Sequence, residues 1–497
     1  MLKRILVLLL SFLMTLLSLG LSFITNDEGE GFLIPAMPAG VWEGNTLCFN
    51  GKTISVEAEK GLPVQGADLP AYTFEDELAL RFSETVKKTF NYYGLSLKSN
   101  VPLKGKIEYE GLGFSSSENF FVEAAGEEPV NFYSFIDGCL DRRKANKVTA
   151  VSFENLGDEP AQLVFCGMAV FNRKVLPDTL FIENDEYKLG LSMRWGGALS
   201  YLEHLSGNVQ AVRLGDDVFV GENALVRYGG KLITDEVNLI NRCDTGRLVQ
   251  QSYYGTRGIN DGYIQGEFMG HPWPYNPVQG GNKYGGESKI VDCIVGENSL
   301  YIKCRPMDWG KDNEAITPSY MEASYALMPG YVKVNCRFTD FSRYESVYNT
   351  QELPAFYAIE PLTSFRYYGG NSPWTGDPEI KREDELIFWP DAGYPNFNAT
   401  EYWCAWTNME ENGYGIGMYV PGISKMLAGV ADRGGKIGKD PSRSGPTTYV
   451  AAVKALAIKS FVPLEYGYLI AAGEIDTIRQ TFINNKDAVD NTALNNY

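Results

Sequence analysis

Three carboxylates in this chain stand in settings that suit acid–base work: Asp244, Glu287 and Glu352. Asp244 lies in NRCDTGRLVQQ between two cations, Arg242 and Arg247, a setting for an ionised carboxylate. A structural Asp–Arg pair at a strand end would read the same way. Glu287, in NKYGGES, follows two glycines that let backbone approach a ligand, or it is a solvated loop carboxylate. Glu352 is embedded in the apolar, aromatic text YNTQELPAFYAIEP, which raises a carboxyl's pKa and suits a proton donor. A buried Glu satisfied by backbone is its plainer alternative. Two carboxyls held about 5 Å or about 6.5–9.5 Å apart can cleave an acetal linkage, one as acid and the other as base or nucleophile. These three residues are the pool for those roles.

The residues around them suit a sugar. From Asn238 to Ser288, seven aromatics between Tyr253 and Tyr284 are interleaved with Gly, Asn, Gln and Arg rather than with aliphatics. Flat rings stack on sugar faces, and amides and guanidinium meet hydroxyls. The expected contacts are Arg247, Gln250, Gln251, Tyr253, Tyr254, His271, Trp273, Tyr275, Asn276, Gln279 and Lys283. Trp309, Tyr367 and Trp374 join them from two further segments, although a loop tryptophan also serves to anchor its loop. The same tyrosines with Arg247 and Gln250 hold the parts of a different reaction, abstraction of a proton beside a uronate carboxylate. Glycoside hydrolysis of an oligo- or polysaccharide is therefore the leading expectation. A polysaccharide lyase and a non-catalytic glycan-binding surface protein are the alternatives.

Composition narrows the field. With 44 Lys and Arg against 62 Asp and Glu, the net charge is −18, which argues against nucleic acid as partner and disfavours a polyanionic glycan. Lys3 and Arg4 precede an apolar run from Ile5 to Ile24, so residues 1–25 read as a signal peptide or a retained N-terminal anchor, and the protein as secreted or cell-surface. Membrane contact is expected only through such an anchor. Eight cysteines are scattered without a C-x-x-C, and buried free thiols are favoured over bridges. No GxSxG, Walker loop or histidine-rich metal spacing is present, and no cofactor or metal is called for. GGKIGKDPSRSG, residues 434–445, reads as a surface loop.

The elements that must position these groups are mainly strands. From 32 to 175, short alternating runs such as GKIEYEG and KVTAVSFEN recur at about ten-residue intervals, the pattern of a β-sandwich that would serve as a carbohydrate-binding module. One exception is expected: Phe74, Leu78, Phe82, Val86 and Phe90 at four-residue steps predict an amphipathic helix over Phe74–Tyr93. From 178 to 490 the strand–turn text continues, with a closing helix in EIDTIRQTFINN.

YKLGLSMRWGGALSYLEHLSGNVQAV, with EENGYGIGMYVPG and LEYGYLIAAGEIDTIRQ later, resembles the galactose-mutarotase-like supersandwich domains of carbohydrate-active enzymes. The text before it resembles the jelly-roll modules that accompany them. The resemblance implies a mainly β fold, with an N-terminal β-sandwich (jelly-roll-like) followed by a large antiparallel β-supersandwich, and a sugar on the concave sheet face. A mutarotase uses a His acid and a Glu base, and this chain has only His204 and His271. Action on oligomeric or polymeric sugar is therefore favoured over aldose epimerisation.

Overall fold

A computed structural model gives side chains for residues 58–67, 69–82, 89–126, 128–205, 238–255, 266–268, 270–312, 316–344, 349–359, 362–384, 386, 395–430 and 447–497. Residue 431 and strands at 22–25, 31–34, 41–43, 46–49, 52–57, 212–214, 218–220, 226–228 and 231–234 are described as backbone. The leader up to residue 21, the turn at 206–208 and the loop at 434–445 lie outside the described residues. The fold is mainly β, and no described helix is long and apolar enough to cross a membrane. The chain divides into two units, residues 1–176 with 291–296, and residues 177–290 with 297–497.

The first unit pairs a seven-stranded antiparallel sheet with a five-stranded one. Strand Leu103–Gly111 alternates: the side chains of Leu103, Ile107 and Tyr109 are buried while Lys104, Lys106 and Glu108 are not. This is the period-two pattern of a sheet with one face on a core. Phe120 of the seven-stranded sheet stacks on Phe132 of the five-stranded one at 5.1 Å, and Phe153 meets Phe165 edge-on at 6.5 Å.

The helix expected over Phe74–Tyr93 is replaced by strands. Ala71–Phe74 and Glu77–Phe82 are joined by a turn, and Tyr92–Ser99 is a third strand; residues 83–88 lie outside the description. The physical reason is in the spacing. Phe74, Leu78 and Phe82 are all even-numbered, so a step of four also satisfies a step of two. Leu80, buried between Leu78 and Phe82, completes the strand pattern. Pairing of Glu77–Phe82 with Ala145–Asn155 then decides the matter, because a long-range ladder overrides local periodicity.

The segment 291–296 belongs to the first unit, which the sequence did not foresee. Arg173, 4% exposed, lies over the rings of Tyr92 and Phe135, with its guanidinium carbon 4.6 and 4.9 Å from their centroids. It pairs with Asp292 at 3.4 Å and donates to the Cys293 carbonyl at 2.7 Å, while the Tyr92 hydroxyl donates to Asp292 at 2.7 Å. A buried cation needs such saturation of its donors.

The second unit holds two large antiparallel sheets. One runs in the order Met307–Asp308, Pro277–Val278, Gln250–Ser252, Asn349–Ile359, Thr447–Leu456, Lys425–Ala431, Asn396–Asn398. The other includes, in order, Ser299–Arg305, Ser319–Met328, Tyr331–Asp340, Leu464–Glu474, Tyr414–Tyr419, Trp403–Thr407, Ser364–Tyr367 and Lys381–Asp384. The helix Ile475–Asn484 buries Ile475, Ile478 and Phe482 against Trp403, Tyr419 and Leu469. Described cysteines are free thiols, all buried except the half-buried Cys166.

Candidate functional site

Glu352 sits on Asn349–Ile359, a central strand between Gln250–Ser252 and Thr447–Leu456. Its register partners are Ser252 on one side and Val453 on the other. Five positions further on, Tyr357 faces Tyr449. An odd spacing would put Glu352 and Tyr357 on opposite faces of a regular strand. The ladder slips between Glu352 and Ala355, around Pro354, and the slip returns both side chains to one face. Their shared neighbour shows this: the Tyr449 hydroxyl donates to Glu352 Oε1 at 2.6 Å, and the Tyr449 ring lies 4.8 Å from that of Tyr357.

Burial pushes the Glu352 carboxyl above the usual range, and hydrogen bonds from Tyr449, Tyr254 and Ser252 oppose this only in part. The hydroxyls of Tyr254, Tyr357 and Tyr449 are held well above their ordinary pKa by burial first and by the neighbouring Glu352 second. All three stay protonated at neutral pH, and Tyr254 and Tyr449 donate to Glu352. A carboxyl surrounded by neutral donors is suited to give a proton and take it back.

Asp244 and Arg247 approach the same tyrosine. Asp244 Oδ1 accepts the backbone N–H groups of Gly246 (2.9 Å) and Arg247 (3.0 Å), and Oδ2 pairs with Arg247 Nε at 2.9 Å. Both charges act on the Tyr357 hydroxyl together with that of Glu352. The Asp–Arg pair therefore closes a loop and also borders the Glu352 face.

An aromatic wall links the two. Tyr254 meets Trp273 at 6.2 Å, Trp273 meets Phe268 at 5.1 Å, and Phe268 meets Trp309 at 6.3 Å. Trp309 lies on Gly246, where an added Cβ would come within 2.3 Å of the indole, so only glycine admits the ring there. The circuit thus returns to the Asp244–Arg247 turn. Ser252, Phe268, Tyr357 and Tyr449 belong to this face and escaped the sequence reading. The signal available for Tyr449 was the β-prone run TTYVAAVKAL, whose partner lies far away in sequence.

The amides expected on sugar hydroxyls are turned inward. Gln250, Gln251, Asn276 and Gln279 are each no more than 2% exposed. Gln250 donates to the carbonyls of Thr245 (3.1 Å) and Gly246 (2.8 Å), Gln251 to that of Glu322 (2.9 Å), Asn276 to that of Tyr253 (2.7 Å), and Gln279 to that of Gly196 (3.1 Å). Each satisfies the backbone of buried loops. Tyr253 and Tyr275 are likewise buried, donating to Gln251 Oε1 (2.9 Å) and Asp340 Oδ1 (2.8 Å).

Other expected residues are dispersed. Glu287, 45% exposed, faces Arg194 at 3.6 Å, and His271 is exposed on the hairpin of Gly266–Phe268 and His271–Trp273. Tyr367 packs with Phe365 and Phe397, and Trp374 packs with Tyr402 and Tyr419. No group of three or more His, Cys, Asp or Glu among the described residues is arranged to hold a metal.

No known family model matches the sequence, and no curated protein does. Solved structures do match. A putative aldose 1-epimerase from Escherichia coli K12 is 12% identical, with 60% of this chain and 99% of that one covered at a TM-score of 0.32. A galactose mutarotase related enzyme from Lactobacillus acidophilus is 8% identical, covering 59% and 97% at 0.30. A GH36 alpha-galactosidase from Geobacillus stearothermophilus is 11% identical, covering 61% and 41% at 0.32. At these values the likeness is one of β-sandwich fold and carries nothing about chemistry. The chain is similar in fold to the galactose-mutarotase-like structures that its sequence resembles.

Proposed function

We propose that the second unit is a glycan-processing enzyme, and specifically a glycoside hydrolase with Glu352 as proton donor. The observation that carries this reading is a carboxyl with raised pKa, hydrogen-bonded by Tyr449 at 2.6 Å at the foot of an aromatic wall. Glu352 protonates the departing glycosidic oxygen. Asp244, held by Arg247 and acting with it on the Tyr357 hydroxyl, serves as the second carboxylate. Tyr254, Trp273 and Trp309 stack on sugar rings. Burial holds the hydroxyls of Tyr253 and Tyr254 well above the pKa needed of a base at neutral pH, which favours hydrolysis over elimination. The basic, apolar start of the chain supports action outside the cytoplasm, which cell fractionation reads directly.

A panel of oligo- and polysaccharides, read for both reducing ends and unsaturated ends, tests the assignment. New reducing ends without unsaturation are expected. Unsaturated product would replace it with a lyase, and binding without any product would replace it with a glycan-binding protein.

The pH profile carries a second expectation. If Glu352 works protonated, activity falls as pH rises through its pKa. The Tyr449 hydrogen bond favours the carboxylate and lowers that pKa, so Tyr449→Phe moves the falling limb to higher pH. A kcat/KM profile shifted to lower pH would remove Glu352 from the acid role.

A further inference from the structure

Lys283 stands at the outer end of the aromatic wall. Its ammonium lies 4.7 Å from the centroid of the exposed Tyr284 ring and 5.9 Å from that of Phe268, whose ring touches both Trp273 and Trp309. The backbone beneath it is fixed. Lys283 N–H donates to the Trp309 carbonyl at 3.1 Å. Asn282, 1% exposed, accepts from the N–H groups of Tyr284 (3.1 Å) and Gly286 (2.7 Å) and donates to the Lys311 carbonyl (2.7 Å). Gly285, at φ +84°, takes the left-handed turn that this tight hairpin requires. The Thr245 hydroxyl, one residue from Asp244, donates to the Asn282 carbonyl at 2.8 Å. The cation is therefore carried on the same rigid loop system as the Asp244–Arg247 turn.

Lys104, Lys106 and Lys303 each face a glutamate within 3.3 Å, whereas no carboxylate lies in ion-pair reach of Lys283 among the described residues. Three acids of the neighbouring segments have partners of their own. Glu267 accepts the Gly270 N–H at 3.1 Å, Glu287 faces Arg194, and Asp244 pairs with Arg247. An ammonium above ring faces is partly desolvated, and that raises its attraction for an anion.

We infer that Phe268, Trp273, Trp309 and Lys283 form a subsite for a sugar ring bearing one anionic substituent, a carboxylate or a sulfate, at a distance from Glu352. The inference rests on the glycan reading of that site. One local ammonium suits a single charged group, while the net charge of −18 still opposes a continuous polyanion. The ring stacks on the indoles, and the substituent meets the Lys283 Nζ.

Isothermal titration of the full-length protein with matched trisaccharides tests this, each in neutral, carboxylated and monosulfated form. At least one charged member is expected to bind about fivefold more tightly than its neutral match, with a preference that weakens as salt rises. Lys283→Gln should bring that member down to the affinity of the neutral one, and Lys283→Arg should keep the preference. The carboxylated and sulfated arms show which substituent is taken. Equal binding of charged and neutral members, or a preference that survives Lys283→Gln, overturns the subsite while leaving the glycan site standing. No binding of any trisaccharide, charged or neutral, overturns both.

Discussion

Replacing Glu352 with Gln should cut kcat/KM on the responsive glycan by about 10³-fold or more, the scale expected when a general acid and its charge are lost together. The amide keeps the shape of the carboxyl and can still accept the Tyr449 hydroxyl, so the bulge and the Tyr357–Tyr449 stack remain. It cannot deliver a proton. Stability should move the other way. The folded-state pKa of Glu352 is raised by burial, so its contribution is fully present below the unfolded pKa and is lost as pH rises through the folded value. Glu352→Gln has no such loss, and the variant should equal or exceed the parent in urea midpoint at pH 7 to 8. A variant of unchanged kcat/KM would dismiss Glu352 as the acid, and an inactive variant that unfolds early would reassign it to structure.

The largest stability effect is expected at Glu401. This carboxylate is fully buried and accepts four bonds: from Arg479 Nε (2.9 Å) and Nη2 (2.8 Å), from the Trp403 indole (2.8 Å) and from the Trp374 N–H (2.9 Å). Arg479 comes from the Ile475–Asn484 helix and stacks over Tyr368 at 4.7 Å. Burial alone would raise the Glu401 pKa, and the bonds from Arg479, Trp403 and Trp374 outweigh it, leaving the carboxyl below the usual range. Arg479→Ala strands that charge in the core and should cost about 3–5 kcal/mol by urea unfolding, whereas the paired change of Glu401 and Arg479 to Met should cost less than either single loss. Because the pKa is depressed, the Glu401 contribution is present above the unfolded pKa and disappears as pH falls through the folded value. A single-variant cost below about 1 kcal/mol would mean that water reaches this pair.

Much of the architecture was legible because strand alternation is a local signal. Leu103–Gly111 states its buried face residue by residue. The stretch from Phe74 failed for the same reason it looked persuasive, since even spacing serves both periods. Glu352 could be singled out because a carboxylate amid Leu, Pro, Ala and Phe is conspicuous, yet its nearest donor, Tyr449, could not. That contact depends on a register set between strands about a hundred residues apart, and on a slip of the ladder at Pro354. The amides were misplaced for a physical reason. Gln, Asn and Gly among aromatics suit a wet sugar-binding surface, but they equally suit buried irregular loops whose carbonyls must find donors inside the protein. Gln250 and Gln279 do the latter.

The return of residues 291–296 to the first unit has a bearing on how the protein is made. When residue 176 has been synthesised, Arg173 has its aromatic neighbours but not Asp292 or the Cys293 carbonyl. More than a hundred further residues, those from 177 to 290, must be polymerised before the counter-charge exists. At about 5–20 residues per second, that leaves the first unit with an unneutralised cation for roughly 6–23 s. Completion of the amino-terminal sandwich is thus timed by the elongation of the very stretch that carries Asp244, Trp273 and Lys283.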